Sequence, residues 1–95
     1  MPWFVYILKC SDDSFYIGQT SDLEKRIETH NAGNGPKYTA FRRPIKLVYS
    51  ETFTSQDKAI KREKQIKKWS RLKKQALING DLEQLKYLSK SRQTN

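Results

Sequence analysis

The sequence predicts an α+β protein in which a small three-stranded antiparallel sheet is flanked by helices, in the order β-β-α-β-α-α-α. Trp3 to Cys10 and Phe15 to Gln19 are rich in β-forming residues, and the short polar residues 11–14 between them favour a turn. Ile45 to Phe53 is a third stretch of this kind. Capping residues followed by amphipathic patterns predict the helices, three of them after the last strand.

The length and charge of the chain restrict its organisation and its partners. The 95 residues fit one domain, which we expect over residues 1–88, with a disordered tail over 89–95. A formal net charge of +9 indicates a polyanionic partner, of which nucleic acid is the commonest. No apolar run approaches the ~20 residues of a membrane-spanning helix. The single cysteine, Cys10, lacks a partner for a disulfide or a zinc site. We therefore expect a cytoplasmic monomer that binds no membrane.

The first two strands are expected to form a hairpin, and its register decides where two tyrosines lie. Side chains alternate along a strand, so a slip of one residue moves a side chain to the other face. A two-residue loop would place Tyr6 and Tyr16 on opposite faces of the sheet, whereas a three-residue or bulged loop would place them on the same face. The sequence leaves both registers open.

The first helix is expected to start at Ser21, which has the capping-box spacing to Glu24, and to end near Asn31. At 100° per residue, Arg26 and His30 flank the apolar stripe of this helix. A guanidinium and an imidazole one turn apart, beside a tyrosine from the preceding strand, form a set of hydrogen-bond donors that could converge on a phosphate.

The segment that follows the first helix combines flexibility with positive charge. Residues 32–36 are rich in chain breakers and predict an exposed, mobile loop. The basic and aromatic residues after it suit contacts with a nucleic acid, and an ordinary basic surface loop is the alternative. The candidate contact residues here are Lys37, Tyr38, Arg42 and Arg43. In the third strand, alternation places Ile45, Leu47 and Tyr49 on one face.

The next helix, expected from a cap at Thr54-Ser55 to about Lys68, carries an acid within its apolar arc. Glu63 lies near −60° when Ile60 is set to zero, in the middle of that arc. A carboxylate that faces inward is costly unless it meets a cation or a metal. An exposed ion pair with Lys67, four residues later, is the alternative explanation.

The rest of the chain predicts two more helices and a broad basic surface. Ser70 can cap a helix that ends at Asn79-Gly80, and a last helix is expected from Asp81 to Leu88. Between positions 58 and 74, nine Lys or Arg residues stand against one acid. This run either widens a DNA-binding surface, with Lys67 and Lys68 as contacts, or is a solvated helix face.

Several of these motifs together resemble the signature of the GIY-YIG nuclease superfamily, and specifically its small single-domain bacterial branch. The similarity rests on Phe4-Val5-Tyr6, Tyr16-Ile17-Gly18, Arg26 and His30 in this order, and it continues through Lys37-Tyr38-Thr39, Leu47-Val48-Tyr49 and the helix that carries Glu63. One position departs from the pattern, since Phe4 stands where the family has glycine. The resemblance implies a GIY-YIG-like fold.

The resemblance also implies catalytic roles for five residues. Glu63 would hold one Mg²⁺ or Mn²⁺ ion, because a lone carboxylate with water and phosphate oxygens suits a hard cation. Arg26 would clamp the scissile phosphate. Tyr6 would act as general base, which requires its pKa of ~10 to be lowered by nearby cations or the metal. Tyr16 and His30 would orient water and phosphate, and the choice between Tyr6 and His30 as proton acceptor stays open.

The implied function is a divalent-metal-dependent DNA endonuclease, selective for branched or single-stranded DNA and acting in DNA repair or recombination. A protein partner could supply targeting, since no sequence-reading module is visible. Asn79 resembles a late asparagine of the family, although a helix-cap role explains it equally well. The alternatives are a nucleic-acid-binding protein without catalysis, a subunit active only with a partner, or an adaptor for an acidic protein.

Overall fold

A computed structural model describes residues 1–93, with side chains as far as residue 90. The sheet is antiparallel throughout and has the strand order β2-β1-β3, which confirms the predicted α+β class. The elements are β1 (Trp3–Lys9), β2 (Phe15–Thr20), α1 (Leu23–Asn31), α2 (Lys37–Ala40), β3 (Lys46–Phe53), α3 (Gln56–Lys67), α4 (Arg71–Ile78) and α5 (Leu82–Gln93).

The hairpin between β1 and β2 has the register that places both tyrosines on one face. Tyr6 lies opposite Gly18 and Leu8 lies opposite Tyr16. The loop has three residues, 11–13, because the N–H of Cys10 still donates to the carbonyl of Ser14 at 2.8 Å. Residue 13 closes the turn with a φ of 67°, the left-handed conformation that such a loop requires.

The two faces of the sheet are covered by different helices. On one face α3 and α4 pack against the core residues Val5, Ile7 and Ile17 through Ala59, Ile66 and Leu77. On the opposite face α1 packs through Leu23 and Ile27 against Tyr6, Leu8, Cys10 and Ile45. The tyrosines therefore lie on the α1 face, while Glu63 belongs to a helix that packs along β1 and the edge strand β2.

A bulge in β3 changes which side chains of this strand share a face of the sheet. Tyr49 lies opposite Ile7 and Leu47 lies opposite Leu8, so Val48 is an extra residue in the pairing with β1. The bulge turns Leu47 and Tyr49 to opposite faces, because an inserted residue shifts the alternation by one. The prediction that Tyr49 shares a face with Leu47 is therefore wrong.

The helix starts agree with prediction in α3 and α4 and differ by one residue in α1. Ser55 and Ser70 each accept a hydrogen bond from the backbone N–H three residues later. In α1 the cap is Asp22 rather than Ser21, and its Oδ1 accepts from the N–H of Lys25 at 3.1 Å. Asp22 has the extended backbone that a cap position needs, which places the first helical residue at Leu23.

Two segments are more ordered than predicted. Residues 37–40 form the short helix α2, where a loop was expected; four residues are too few to show a helical period. The last helix continues to Gln93 rather than ending at Leu88, so residues 89–93 of the expected disordered tail are helical. The last two residues of that tail, 94 and 95, lie outside the described residues. Within residues 1–93, no helix is both long and apolar enough to span a bilayer.

Candidate active site

Tyr6 lies at the centre of a cluster of polar aromatic residues on the α1 face of the sheet. Its side chain is only 2% exposed, and its ring covers the backbone of Gly18 on the neighbouring strand. A Cβ atom on residue 18 would collide with the phenol oxygen and with Cζ of Tyr6. The glycine of β2 therefore provides the space in which the Tyr6 ring lies flat against the sheet.

His30, from the last turn of α1, is fully buried and links Tyr6 to α2. Its Nε2 lies 3.0 Å from the hydroxyl of Tyr6, and its Nδ1 lies 2.8 Å from Oγ1 of Thr39. The Thr39 hydroxyl donates its one proton to the carbonyl of Pro36 at 3.1 Å. Thr39 must then accept from Nδ1–H, which leaves the Nε2 lone pair to accept from the Tyr6 hydroxyl.

The pKa values in this cluster follow from burial. Burial raises the pKa of Tyr6 well above its ordinary value, the charges of Tyr16 and Glu63 raise it further, and Arg26 opposes them. Arg26 thus acts in the direction that a general base requires, but burial outweighs it in the protein by itself. Burial, aided by Arg26, also lowers the pKa of His30. The resting cluster thus holds a neutral phenol and a neutral imidazole.

Tyr16 connects this buried cluster to the surface. Its ring centroid lies 5.2 Å from that of His30, with the rings inclined at 61°, in an edge-to-face contact. On its other side the ring lies 6.2 Å from that of Tyr38, which is 40% exposed. The two tyrosines predicted for the site thus both contact the imidazole.

Arg26 is exposed at the rim of the cluster, and its charge acts on both Tyr6 and His30. Beside it lies an open depression of about 490 Å³ between the end of β2 and the first turns of α1. The residues around it are Thr20, Ser21, Asp22, Lys25, Arg26 and Thr29. A guanidinium in this position can meet a phosphate that approaches the tyrosines from solvent.

Glu63, on α3, is largely shielded from solvent. Its side chain is 17% exposed, and its Oε2 lies 2.7 Å from Nζ of Lys67, whose side chain is 50% exposed. The ion pair weighed as the alternative is therefore present. The carboxylate is nevertheless close enough to the cluster for its charge to raise the pKa of Tyr6.

The donor set fits one hard cation rather than an all-protein metal cage. Within residues 1–93, no group of three or more His, Cys, Asp or Glu side chains converges on one point. Mg²⁺ commonly takes one or two carboxylates and completes its shell with water and substrate phosphate. Glu63 is a single carboxylate paired with the ammonium of Lys67, and because Lys67 is half exposed it can move away to free the carboxylate for a cation.

The residues predicted to contact nucleic acid lie on α2, just after it, and at the end of α3. Arg42 stacks on the Tyr38 ring, with Cζ 3.9 Å from the centroid, and Arg43 donates to the carbonyls of Ala40 and Asn31. Lys37 is exposed on α2, and Lys67 and Lys68 are exposed at the end of α3. Their contacts with nucleic acid stay a prediction.

Asn79 and Thr39 illustrate opposite limits of sequence reasoning. Asn79 is exposed at the C-terminal cap of α4, where its Oδ1 accepts from Gln75, so its contacts are those of the cap role. Thr39 carries the hydrogen bond that fixes His30, yet the sequence marked it only as part of a family motif. Its position after Gly35-Pro36 gave no helical signal, because α2 is so short.

Comparison with known proteins places this geometry in a family. The family described as the GIY-YIG catalytic domain matches residues 2–76. A UPF0213 protein of Staphylococcus saprophyticus is 53% identical over 76 residues, which cover 80% of this chain and 93% of that protein. A UPF0213 protein of Staphylococcus aureus is 52% identical over 75 residues, which cover 79% of this chain and 92% of that protein.

Two solution NMR structures share the fold. The UPF0213 protein BH0048 from Bacillus halodurans is 42% identical with a TM-score of 0.56, and the match covers 85% of this chain and 86% of that one. The protein EF2693 from E. faecalis is 35% identical with a TM-score of 0.58, and the match covers 86% of this chain and 88% of that one. The chain therefore belongs to the GIY-YIG family, whose catalytic domain is generally that of an endonuclease.

Proposed function

We propose that the protein is a divalent-metal-dependent DNA endonuclease that hydrolyses phosphodiester bonds in branched or single-stranded DNA, in DNA repair or recombination. The observation that carries the proposal is the convergence of Tyr6, Tyr16 and His30 on one face of the sheet, within the electrostatic reach of Arg26 and Glu63. A cluster that combines proton carriers, a phosphate-binding cation and one shielded carboxylate contains the groups that phosphodiester hydrolysis needs.

The hydrogen bonds suggest how Tyr6 and His30 share the role of base. Attacking water transfers a proton to the phenol oxygen of Tyr6 while Tyr6 transfers its own proton to Nε2 of His30, so no free phenolate forms. The water oxygen bonds to phosphorus, the bond from phosphorus to the 3′ oxygen breaks, and a solvent proton neutralises that oxygen. The lowered pKa of His30 keeps Nε2 available as the acceptor near neutral pH.

The remaining residues position the substrate and balance its charge. Arg26 binds the nonbridging oxygens of the scissile phosphate, where negative charge increases in the transition state. Glu63 would hold the Mg²⁺ or Mn²⁺ ion, which when bound supplies further positive charge at those oxygens. Lys67 would have to release Glu63 as the ion binds, and its exposed ammonium could then contact DNA.

A cleavage assay with separate binding measurements tests this proposal. The substrates are forked, nicked and single-stranded DNA with Mg²⁺ or Mn²⁺. We expect Arg26→Ala and Glu63→Ala each to lower the cleavage rate by at least ~100-fold, because each removes a transition-state contact. DNA binding should survive in Glu63→Ala. Cleavage that persists in both variants would show that the wild-type signal came from a contaminant.

A DNA-binding protein without catalysis of its own is the second candidate. It is favoured by the resting state of the site, in which Glu63 is paired with Lys67 and the pKa of Tyr6 is raised. Wild-type protein that binds DNA but cleaves none of the substrates with either metal would support this candidate. Cleavage that appears only on adding a partner would indicate a catalytic subunit.

A further inference from the structure

A small aromatic hollow lies next to the candidate active site and is not used by the proposed chemistry. Its volume is about 280 Å³, close to the lower limit of ~300 Å³ for small-molecule pockets, so it suits one small planar group. The residues around it are Phe15, Tyr16, Ile17, Tyr38, Lys67 and Lys74. Three aromatic rings and two ammonium groups thus surround one space.

Two of the three aromatic rings of this hollow are each covered by a guanidinium group. The guanidinium of Arg71 lies over the Phe15 ring at 4.3 Å, and that of Arg42 lies over the Tyr38 ring at 3.9 Å. Arg42 is itself held by Asp12, whose Oδ2 accepts from Nε at 3.0 Å. Rings fixed in this way lose little conformational freedom when a planar ligand stacks on them.

Two residues join the hollow to the site of proposed hydrolysis. Tyr16 lines the hollow and also contacts the His30 ring at 5.2 Å. Lys67 lines the hollow and also pairs with Glu63 at 2.7 Å. The hollow therefore adjoins the cluster on the side of Tyr16 and Lys67, where a DNA strand bound at the cluster can place a neighbouring nucleotide.

We propose that the hollow is a subsite for the base of a nucleotide adjacent to the scissile phosphate, an inference that rests on the proposed function. The base stacks on the rings of Tyr38 and Phe15, and Lys67 and Lys74 neutralise the neighbouring phosphates. A base inside a duplex is stacked and paired and has no access to the hollow. The subsite therefore selects DNA in which this nucleotide is unpaired.

Binding without cleavage tests the subsite. Affinities are measured in EDTA by fluorescence anisotropy, using a 12-nucleotide thymidine strand and a strand of equal length made of abasic sugar phosphates. We expect the wild type to bind the thymidine strand at least ~5-fold more tightly, the minimum that one stacked base provides. Tyr38→Ala should abolish this preference, so that its affinities for the two strands become equal. Tyr38→Phe should keep it, as should Tyr87→Ala, which removes an exposed ring on α5.

A second measurement uses the wild type alone, so the subsite can be tested even if Tyr38→Ala does not fold. The ring resonances of Tyr16 and Tyr38 should shift when the thymidine strand is added and should not shift with the abasic strand. Equal affinities for the two strands in the wild type, or a preference that survives in folded Tyr38→Ala, would overturn the subsite. A Tyr38-dependent preference in a protein that cleaves no DNA would reject the endonuclease and retain the subsite. Cleavage by a protein that shows no preference between the strands would retain the endonuclease and reject the subsite.

Discussion

Thr39 determines which nitrogen of His30 carries the proton. Its hydroxyl has one proton, which it donates to the carbonyl of Pro36, so the hydroxyl oxygen can only accept from Nδ1–H. His30 and Thr39 are both fully buried, and water cannot replace either partner without rearrangement. A threonine that never touches substrate thus orients the imidazole that accepts from Tyr6.

Thr39→Val tests this arrangement with an almost isosteric change. The variant leaves a buried Nδ1–H without its acceptor, which should lower the free energy of unfolding by about 1–3 kcal/mol. Nitrogen NMR of His30 should show a mixture of tautomers in place of the Nδ1–H form. In the proposed enzyme kcat should fall by up to ~100-fold with little change in KM. Thr52→Val, at an exposed position of β3, is the matched control. An unchanged tautomer together with an unchanged kcat would refute the role of Thr39.

The pH dependence of His30 provides a second prediction at this scale. Burial and Arg26 lower its pKa below the ordinary ~6.5. Since the neutral imidazole is the proton acceptor in the proposed mechanism, the proposed activity should rise with pH through that lowered pKa and be level at neutral pH. The chain has one histidine, so its NMR titration is unambiguous. The midpoint should move upward in Arg26→Gln, because a repelling charge is lost, and a wild-type midpoint above ~6.5 would contradict the prediction.

Among the elements, β3 and α3 are joined by a charged network on the face of the sheet opposite Tyr6 and Tyr16. The carboxylate of Glu51 accepts from Nε and Nη2 of Arg62 and from the hydroxyl of Tyr49. Arg62 also lies over the ring of Trp69, with Cζ 5.1 Å from the centroid. The network fixes the helix that carries Glu63 against the sheet, and so it links fold stability to the geometry of the site.

Glu51 should make the free energy of unfolding depend on pH in the acidic range. Burial alone would raise the pKa of Glu51, but the hydrogen bonds from Arg62 and Tyr49 outweigh it and hold the pKa below its usual value. A lowered folded-state pKa stabilises the protein above the unfolded value of ~4.3, and this contribution is lost as pH falls through the folded pKa.

Glu51→Gln tests this linkage in denaturant titrations across pH. At pH 7 the variant should be less stable than the wild type by about 1–3 kcal/mol, because Arg62 loses its charged acceptor. The difference should shrink as pH falls below the unfolded-state value of ~4.3 toward the lowered pKa of the folded carboxylate. Glu28→Gln, an exposed change on α1, should show neither effect. A stability difference that is constant from pH 7 to pH 3 would contradict the assignment.

Local signals in the sequence predicted most of the helices and strands. Features that depend on contacts between distant residues were not predicted. Alternation, polar turns and serine caps identified the strands and the starts of α3 and α4, because each signal lies within a few residues. The sequence did not predict the bulge at Val48, because the bulge depends on how β3 pairs with β1. The residues of the candidate site were named through the family resemblance, and the structure brings Tyr6, Tyr16 and His30 into contact. The partner of His30 was not predicted, because Thr39 lies on a helix of four residues.

At the scale of the whole molecule, the net charge is strongly positive, and several of the exposed cations lie beside the candidate site. The formal charge is +9, and the end of α3 presents Lys67 and Lys68 on the same helix as Glu63. Lys37 and Arg42 lie beside Tyr38, on α2 and just after it. A strand of DNA that contacts both groups of cations would release counterions from each as it binds.

The salt dependence of DNA binding therefore reports how many of these cations contact phosphates. The logarithm of the binding constant should fall linearly with the logarithm of salt concentration, by about 0.7 per phosphate contact for a single strand. Lys68→Gln should weaken binding and reduce the magnitude of that slope by about one contact. Lys86→Gln makes the same charge change at an exposed position of α5 and should leave the slope unchanged. Equal changes of slope in both variants would show that net charge, rather than a defined track beside the tyrosines, attracts the DNA.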